Sequence, residues 1–373
     1  MHHNDVQAST PPVIVTGSSG LIGAAVVKAL ALHYRIVGFD RPGLPEPPPQ
    51  ADSVGVDLTR PESLRHGLEH VRAVYGAQIA SVIHLAAYYD FSGEPSELYE
   101  QVTIRGTERL LRALQDFQVE QFVFSSTMLV HKPTEPGRPI DEEAPLEGKW
   151  AYPQSKIATE QLIRAQRGAI PAVRLRIAGV YTDRCDSIPL AHQMQRIAEH
   201  RLTSHVFPGD ITHGQAFIHL DDAIDAIQRT VERRHTLPDD VAFLLGEPVT
   251  YSYEQLQQAF GQLIHGEADW ATHQIPKVVA KTGAWLQDQI PGLEEPFIKP
   301  WMIDVADDHY ELDISRARQL LGWSPQHRLL DTLPRMVEAL QADPIGWYQH
   351  HALEPPEEIA EQANAPQHEQ HRT

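Results

Sequence analysis

The stretch VIVTGSSGLIG, residues 13–23, decides the fold. A β-branched run at 13–16 meets glycines at positions 17, 20 and 23, and the apolar segment AAVVKALALHY (24–34) carries on as a helix. Strand, glycine turn and helix in that order is the setting in which this spacing has a meaning. Glycine permits a tight turn and close approach of the backbone. The helix N-terminus adds partial positive charge, so the turn suits a dinucleotide pyrophosphate. Gly17, Ser19, Gly20, Leu21, Ile22 and Gly23 make up that turn.

Working outward, RIVGFD (35–40) is a second strand that ends in Asp40. A carboxylate there accepts hydrogen bonds from both hydroxyls of an adenosine ribose and repels a 2′-phosphate, which favours NAD. Arg41 beside it is able to hold a phosphate, so NADP stays open. RPGLPEPPPQ (41–50) is too rich in proline for regular structure. PESLRHGLEHVRAVYG (61–76) reads as a helix with Pro61 in its first turn. SVIHLAA (81–87) reads as a buried strand, SELYEQVTIRGTERLLRALQDF (96–117) as a long helix and QFVFSS (121–126) as another strand. Strands alternating with helices predict an α/β, Rossmann-type doubly wound parallel sheet over residues 13–180. Beyond 180 the alternation weakens, although IPLAHQMQRIAEHRL (188–202) and YSYEQLQQAFGQLI (251–264) still look helical. Residues 181–345 are expected to form a smaller, mixed substrate lobe, discontinuous, with some segments returning to the first domain. Residues 1–12 are expected to be a flexible start, and 352–373, rich in Pro, Glu, Gln and His, a disordered acidic tail.

Composition limits the function. The chain has 373 residues, 42% hydrophobic, and a formal charge of −19, which disfavours nucleic acid and anionic membranes as partners. No run of about 18 apolar residues exists to span a membrane, and MHHNDVQASTPP (1–12) lacks the apolar centre of a signal peptide. The single cysteine, Cys185, excludes an intrachain disulfide and fits a reducing, cytoplasmic setting. It follows an arginine with no base in view, so it is no nucleophile. Among the 21 histidines, His84 reads as a core residue and His219 as a tie between loops. His368 and His371 have metal-compatible spacing but no fixed scaffold, and no metal is expected.

The chain resembles the extended short-chain dehydrogenase/reductases, the NAD-dependent epimerase/dehydratase group. The resemblance covers roughly residues 13–340. It rests on TGSSGLIG (16–23), VDL (56–58), HLAA (84–87), FSST (124–127), YPQSK (152–156), FIHLDDAIDAI (217–227) and LDISRARQLLGWSP (312–325), in this order and at these spacings. It implies that Asp57 and Leu58 flank the adenine, and that Leu85, Ala86 and Ala87 line the cofactor's path.

Within YPQSK, Tyr152 and Lys156 stand at i and i+4 on one helical face. A phenol with an ordinary pKa of about 10 is a weak base at neutral pH. A neighbouring ammonium and a cationic nicotinamide favour the phenolate, which then takes a proton from a substrate hydroxyl or returns it to a ketone. By resemblance, Lys156 also holds the nicotinamide ribose. Thr127, 25 residues before Tyr152, matches the family's Ser/Thr that hydrogen-bonds the reacting oxygen, with Ser125 and Ser126 as the alternatives in another register. TIRGT (103–107) puts Thr103 where the family often has an asparagine.

The substrate side departs from the sugar-nucleotide branches. Dehydratases usually follow the threonine with Asp-Glu, whereas Met128 and Leu129 follow here. Together with Tyr88, Tyr89 and Phe91 they suggest a greasy, aromatic pocket. Gly179 stands at the place of a substrate-binding asparagine and Gln215 at that of a diphosphate-binding arginine. The stretch KPWMIDVADDHYELD (299–313) offers Lys299 but no arginine; Lys299 and Arg184 are the candidate replacements. The expected activity is hydride transfer between nicotinamide and a secondary alcohol or ketone on a fairly apolar, non-nucleotide small molecule, similar to the hydroxysteroid dehydrogenase and dihydroflavonol reductase branches. The alternatives are a nucleotide-sugar epimerase and, in another class, a non-catalytic NAD-binding sensor or scaffold. Members of the family commonly dimerise through the long helix and the Tyr-x-x-x-Lys helix. Leu98, Val102, Leu110, Leu111 and Leu114 then predict a homodimer.

Overall fold

The computed structural model describes residues 10–43, 45, 48–90, 96–288, 299–357 and 359–360. Seven parallel strands form the central sheet: β1 (Val13–Thr16), β2 (Ile36–Asp40), β3 (Ala51–Gly55), β4 (Ser81–His84), β5 (Phe122–Thr127), β6 (Ala172–Ile177) and β7 (Asp240–Leu245). Their order is β7-β6-β5-β4-β1-β2-β3. The chain starts in the middle, runs out to β3, then returns to β4 and builds the other half. Its direction reverses between β1 and β4, and a crevice at such a switch point is where ligands bind in open α/β sheets.

Helices cover both faces. They are α1 (Leu21–Leu30), α2 (Pro61–Tyr75), α3 (Arg105–Leu114), α4 (Ala151–Gln166), α5 (Ile188–Ala198), α6 (Leu220–Glu232), α7 (Tyr253–His265), α8 (Lys277–Asp288), α9 (Pro300–Asp304), α10 (Ser315–Leu321), α11 (Leu329–Ala342) and α12 (Pro344–His350). Alternating strand residues feed two cores, as the period of two requires. Val13, Val15, Ile83 and Val123 pack with α1, α6 and α10. Ile14, Val82, Phe122 and Phe124 pack with α2, α3 and α4. A third core, containing Tyr181, Phe260, Trp347 and Tyr348, holds α5, α7, α11 and α12 together as a C-terminal lobe.

Strand β7 comes from the second half of the chain, yet it pairs with β6 along its length, from Ala172↔Asp240 to Ile177↔Leu245. Arg174 Nη1 donates to Asp240 at 2.6 Å and fastens the end of that pairing. The edge strand β3, ADSVG, is not among the strands that the sequence pattern marks. Its Asp and Gly are poor strand formers, and pairing to β2 alone makes it a strand.

The long helix expected over 96–117 begins instead with π-helical turns, Tyr99–Ile104, before α3. Its apolar residues do not form a surplus face. Leu110, Leu111 and Leu114 are fully buried under the sheet, Val102 is half-buried, and Leu98 is 40% exposed. Of the segment expected to be a disordered tail, Leu353 and Ile359 pack against the third core. Residues 1–9 and 361–373, with His368 and His371, lie outside the described residues, as does Phe91. No helix among the described residues is long and apolar enough to cross a membrane.

Candidate active site

The glycine turn closes on itself and on the strand beside it. Gly17 has φ +73°, and a Cβ there would stand 3.0 Å from the Ala86 nitrogen. At Gly23 a Cβ would lie 2.0 Å from the Gly17 carbonyl oxygen, so α1 can start this close to the turn only without a side chain. Ser18 Oγ and the Ser19 N–H (2.9 Å) both donate to one oxygen of Asp40, Oδ2. This ties the turn to the end of β2 and leaves the other carboxylate oxygen outside both bonds. Arg41 is exposed. Asp57 accepts from the Thr59 N–H (2.9 Å) and hydroxyl (2.7 Å). Burial opposes its charge, but the Thr59 bonds with Arg60 and Arg41 nearby hold its carboxyl below the usual range. Leu58 is buried and faces Gly106, where a Cβ would meet it at 3.2 Å. Together these residues make a cradle of bare backbone with a carboxylate beside it, an arrangement able to take a dinucleotide.

The end of β5 and the first turns of α4 converge above the crevice. Tyr152 and Thr127 share a side-chain hydrogen bond. Burial pushes the Tyr152 phenol up to about 12, and the Thr127 bond works against this. Lys156 Nζ donates to the Ser125 carbonyl at 2.7 Å and lies 5.7 Å from the Tyr152 ring centroid. Burial draws its ammonium down to about 7, with Glu160 opposing. The two neighbouring serines are engaged elsewhere: Ser125 Oγ donates to the His84 carbonyl (3.3 Å) and Ser126 Oγ to Glu160 (2.5 Å). Thr127 therefore has the register that reaches Tyr152. Its hydroxyl also accepts from the Leu129 N–H at 3.3 Å, so it caps the following turn as well.

His84 is a core residue. Its ring joins Thr16 Oγ1 (2.8 Å) to Thr107 Oγ1 (2.9 Å), and burial takes its pKa down to about 3, so it stays neutral. Thr103 is buried in the π-helical turns. Its hydroxyl accepts from the Tyr88 N–H at 3.0 Å and so anchors the loop after β4.

From the glycine turn a cavity of about 710 Å³ runs past Tyr152 into the C-terminal lobe. Gly17, Gly20, Leu21, Ile22, Gly23, Leu85, Ala87, Thr127, Tyr152 and Lys156 line it. Ser19, Asp40, Arg41, Asp57, Leu58 and Ala86 lie outside its wall. Met128, Leu129 and Tyr89 line it as expected, whereas Tyr88 turns away to pack edge-on against Tyr99 at 4.9 Å. Two tryptophans that no spacing linked to the site meet there. Trp150 lies 4.7 Å from Trp301 and 5.4 Å from Tyr152 between ring centroids. Cys185 is fully buried, and burial pushes its thiol up and makes it inert.

The profile of the NAD dependent epimerase/dehydratase family matches residues 13–246. The chain belongs to this family. Human 3 beta-hydroxysteroid dehydrogenase type 7 is 26% identical over 91% of this chain and 98% of its own. UDP-glucose 4-epimerase of Mycolicibacterium smegmatis is 25% identical over 87% and 97%. Among solved structures, UDP-glucose 4-epimerase of Thermus thermophilus in complex with NAD superposes with a TM-score of 0.66 at 20% identity, covering 88% of this chain and 99% of that one. As a member of the epimerase/dehydratase family, the protein is an NAD-dependent oxidoreductase of the extended short-chain type.

Gly179 and Gln215, the positions expected to lack the asparagine and arginine of the sugar-nucleotide branches, lie on the cavity wall. At Gly179 even a Cβ would stand 3.0 Å from the Phe217 ring. Gln215 also lines the cavity, but Lys299 and Arg184, the candidate replacements for a lost arginine, do not. Arg176 is committed to the core. It forks onto Glu160 at 3.1 and 2.7 Å and contacts His131 at 3.0 Å. His219 accepts from the Asp221 N–H (3.2 Å) as the cap of α6. With Asp221 and His327 it brings potential ligand atoms within 4.8 Å of one another, away from the cavity.

Proposed function

We propose that this enzyme transfers hydride between NAD and a secondary alcohol or ketone on an apolar, steroid-like substrate. Tyr152 is the acid–base group, Thr127 orients the reacting oxygen, and Lys156 supplies positive charge. The observation that carries this reading is the cavity. Tyr152 faces a chamber of about 710 Å³ walled by side chains such as Met128, Leu129, Trp150, Ile188, Phe207 and Trp301. Clefts of about 300–1,000 Å³ suit small molecules. At positions 179 and 215 the chamber presents Gly and Gln where the resemblance places the asparagine and arginine of the sugar-nucleotide branches. The similarity to 3 beta-hydroxysteroid dehydrogenase type 7 supports the same substrate class.

Bound NAD supplies the hydride acceptor for oxidation and, once reduced, the donor for reduction. The rest is done by the chain. Gly17, Ser19, Gly20, Leu21, Ile22 and Gly23 hold the pyrophosphate, Asp40 with Arg41 beside it meets the ribose, and Asp57 and Leu58 flank the adenine. Leu85, Ala86 and Ala87 line the path inward. Lys156 favours the Tyr152 phenolate by its charge. During oxidation the phenolate takes the substrate hydroxyl proton; during reduction the phenol returns it.

A direct test uses NAD with a neutral 3β-hydroxysteroid in one reaction and UDP-glucose in another. We expect NADH absorbance with the steroid and neither NADH nor UDP-galactose with the nucleotide. Formation of UDP-galactose without steroid turnover would replace this reading with that of an epimerase.

The same reading includes a reducing cytoplasmic setting, in keeping with the buried thiol of Cys185, and a homodimer through α3 and α4. Leu98 is the exposed apolar contact of that dimer, with Val102 half-buried beside it. Light scattering at micromolar concentration should give the mass of two chains; the mass of one chain removes the dimer.

A further inference from the structure

We propose that the end of the cavity in the C-terminal lobe is an anion subsite centred on Arg196, so that the substrate is an apolar alcohol or ketone carrying a remote carboxylate. This rests on the reading above and names a second functional group on the same substrate.

Among the described residues, six ionisable groups other than tyrosines line the cavity: Lys149, Lys156, Asp186, Arg196, His213 and Asp308. Five have partners. Lys149 pairs with Asp308 at 2.6 Å. Asp186 meets His350 at 2.6 Å and Thr182. His213 bonds the Asp307 carbonyl at 2.6 Å and lies 3.4 Å from Glu135. Lys156 is held by Ser125. Arg196, on α5, makes no ion pair with any carboxylate among the described residues. Its Nε is buried without a partner, and its Nη2 makes one long contact, 3.4 Å, to Tyr253 Oη.

The polar groups beside the guanidinium are neutral. The Tyr253 ring stacks on Phe207 with centroids 4.0 Å apart, which fixes the hydroxyl beside Arg196. Gln193, on the same helix, spends its amide on Gln257 at 2.9 Å. Arg196 is half-buried, but its Nε is buried with no partner, and a buried donor left unpaired is costly. Its planar fork matches a carboxylate, which would satisfy the orphan Nε and the nearby Nη2 together. Arg196 projects from the C-terminal lobe, whereas Tyr152 stands on α4 above the sheet. A ligand seated on both therefore has its reacting carbon at one wall and its anion at another.

The experiment compares a 3β-hydroxysteroid bearing a side-chain carboxylic acid with its methyl ester, in the full chain with NAD. We expect KM for the acid to be about 10- to 100-fold lower than for the ester, the range of a charge-assisted hydrogen bond. In Arg196→Met that preference should collapse to about one, and Arg196→Lys should restore part of it. An unchanged preference in Arg196→Met, or none in the wild type, overturns the subsite. Calorimetry with decanoate and methyl decanoate on NADH-loaded protein separates the two readings. If neither steroid is oxidised but decanoate still binds more tightly in an Arg196-dependent way, the steroid reading fails and the subsite stands. If UDP binds at micromolar affinity through Arg196, the subsite belongs to a nucleotide and the carboxylate proposal is overturned.

Discussion

Tyr152→Phe lowers turnover by about two to four decades while leaving NAD affinity nearly intact. The substitution removes only the phenolic oxygen. The ring keeps its packing against Trp150 at 5.4 Å and Tyr89 at 4.8 Å, so the cavity wall stays in place. What is lost is the group proposed to exchange the proton with the substrate oxygen, together with its hydrogen bond to Thr127. Lys156→Met is the complementary variant. It removes the charge near the phenol and the tie to the Ser125 carbonyl, so both NAD affinity and turnover should fall. Fluorescence titration with NADH beside steady-state turnover makes the comparison. Full turnover by Tyr152→Phe would remove Tyr152 from the chemistry.

Gly23→Ala weakens NAD binding by about 100-fold and also lowers thermal stability, because overpacking of this severity costs about 3 kcal/mol. The added Cβ would stand 2.0 Å from the Gly17 carbonyl oxygen and 2.9 Å from the Ser18 Cα, and neither neighbour is the end of a flexible side chain. The glycine turn or the first turn of α1 must move, and with it the Ser18 and Ser19 bonds to Asp40. Gly20→Ala is the control, since a Cβ there meets the protein only at 3.5 Å. It should weaken NAD binding by obstructing the ligand while leaving the melting temperature of the NAD-free protein unchanged. Equal melting temperatures for wild type and Gly23→Ala would show that the turn has slack that the geometry denies.

Local patterns carried much of this in the bare sequence. The β-branched run before Gly17, the apolar helix after it and the alternation through residue 127 are short-range signals, and the seven-stranded parallel sheet follows them. Tyr152 and Lys156 share a face because a helix has a fixed period, and that is legible without neighbours. Asp40 was legible at its strand end, but its grip on Ser18 and Ser19 was not. Tertiary structure decided whatever depended on contacts between distant segments. Thr127 was named by resemblance, but that Ser125 and Ser126 are engaged elsewhere shows only where β5 ends under α4. Leu110, Leu111 and Leu114 looked like a surplus until the sheet covered them. Strand β3, from a segment with weak intrinsic preference, forms because β2 offers an unpaired edge. Trp150 meets Trp301, and Arg196 enters the wall that also holds Tyr152, across gaps no sequence period spans. A period reports which way a side chain points from its own element. Which other element it then meets depends on how the lobes close over the sheet, and that is set by the packing of all three cores at once.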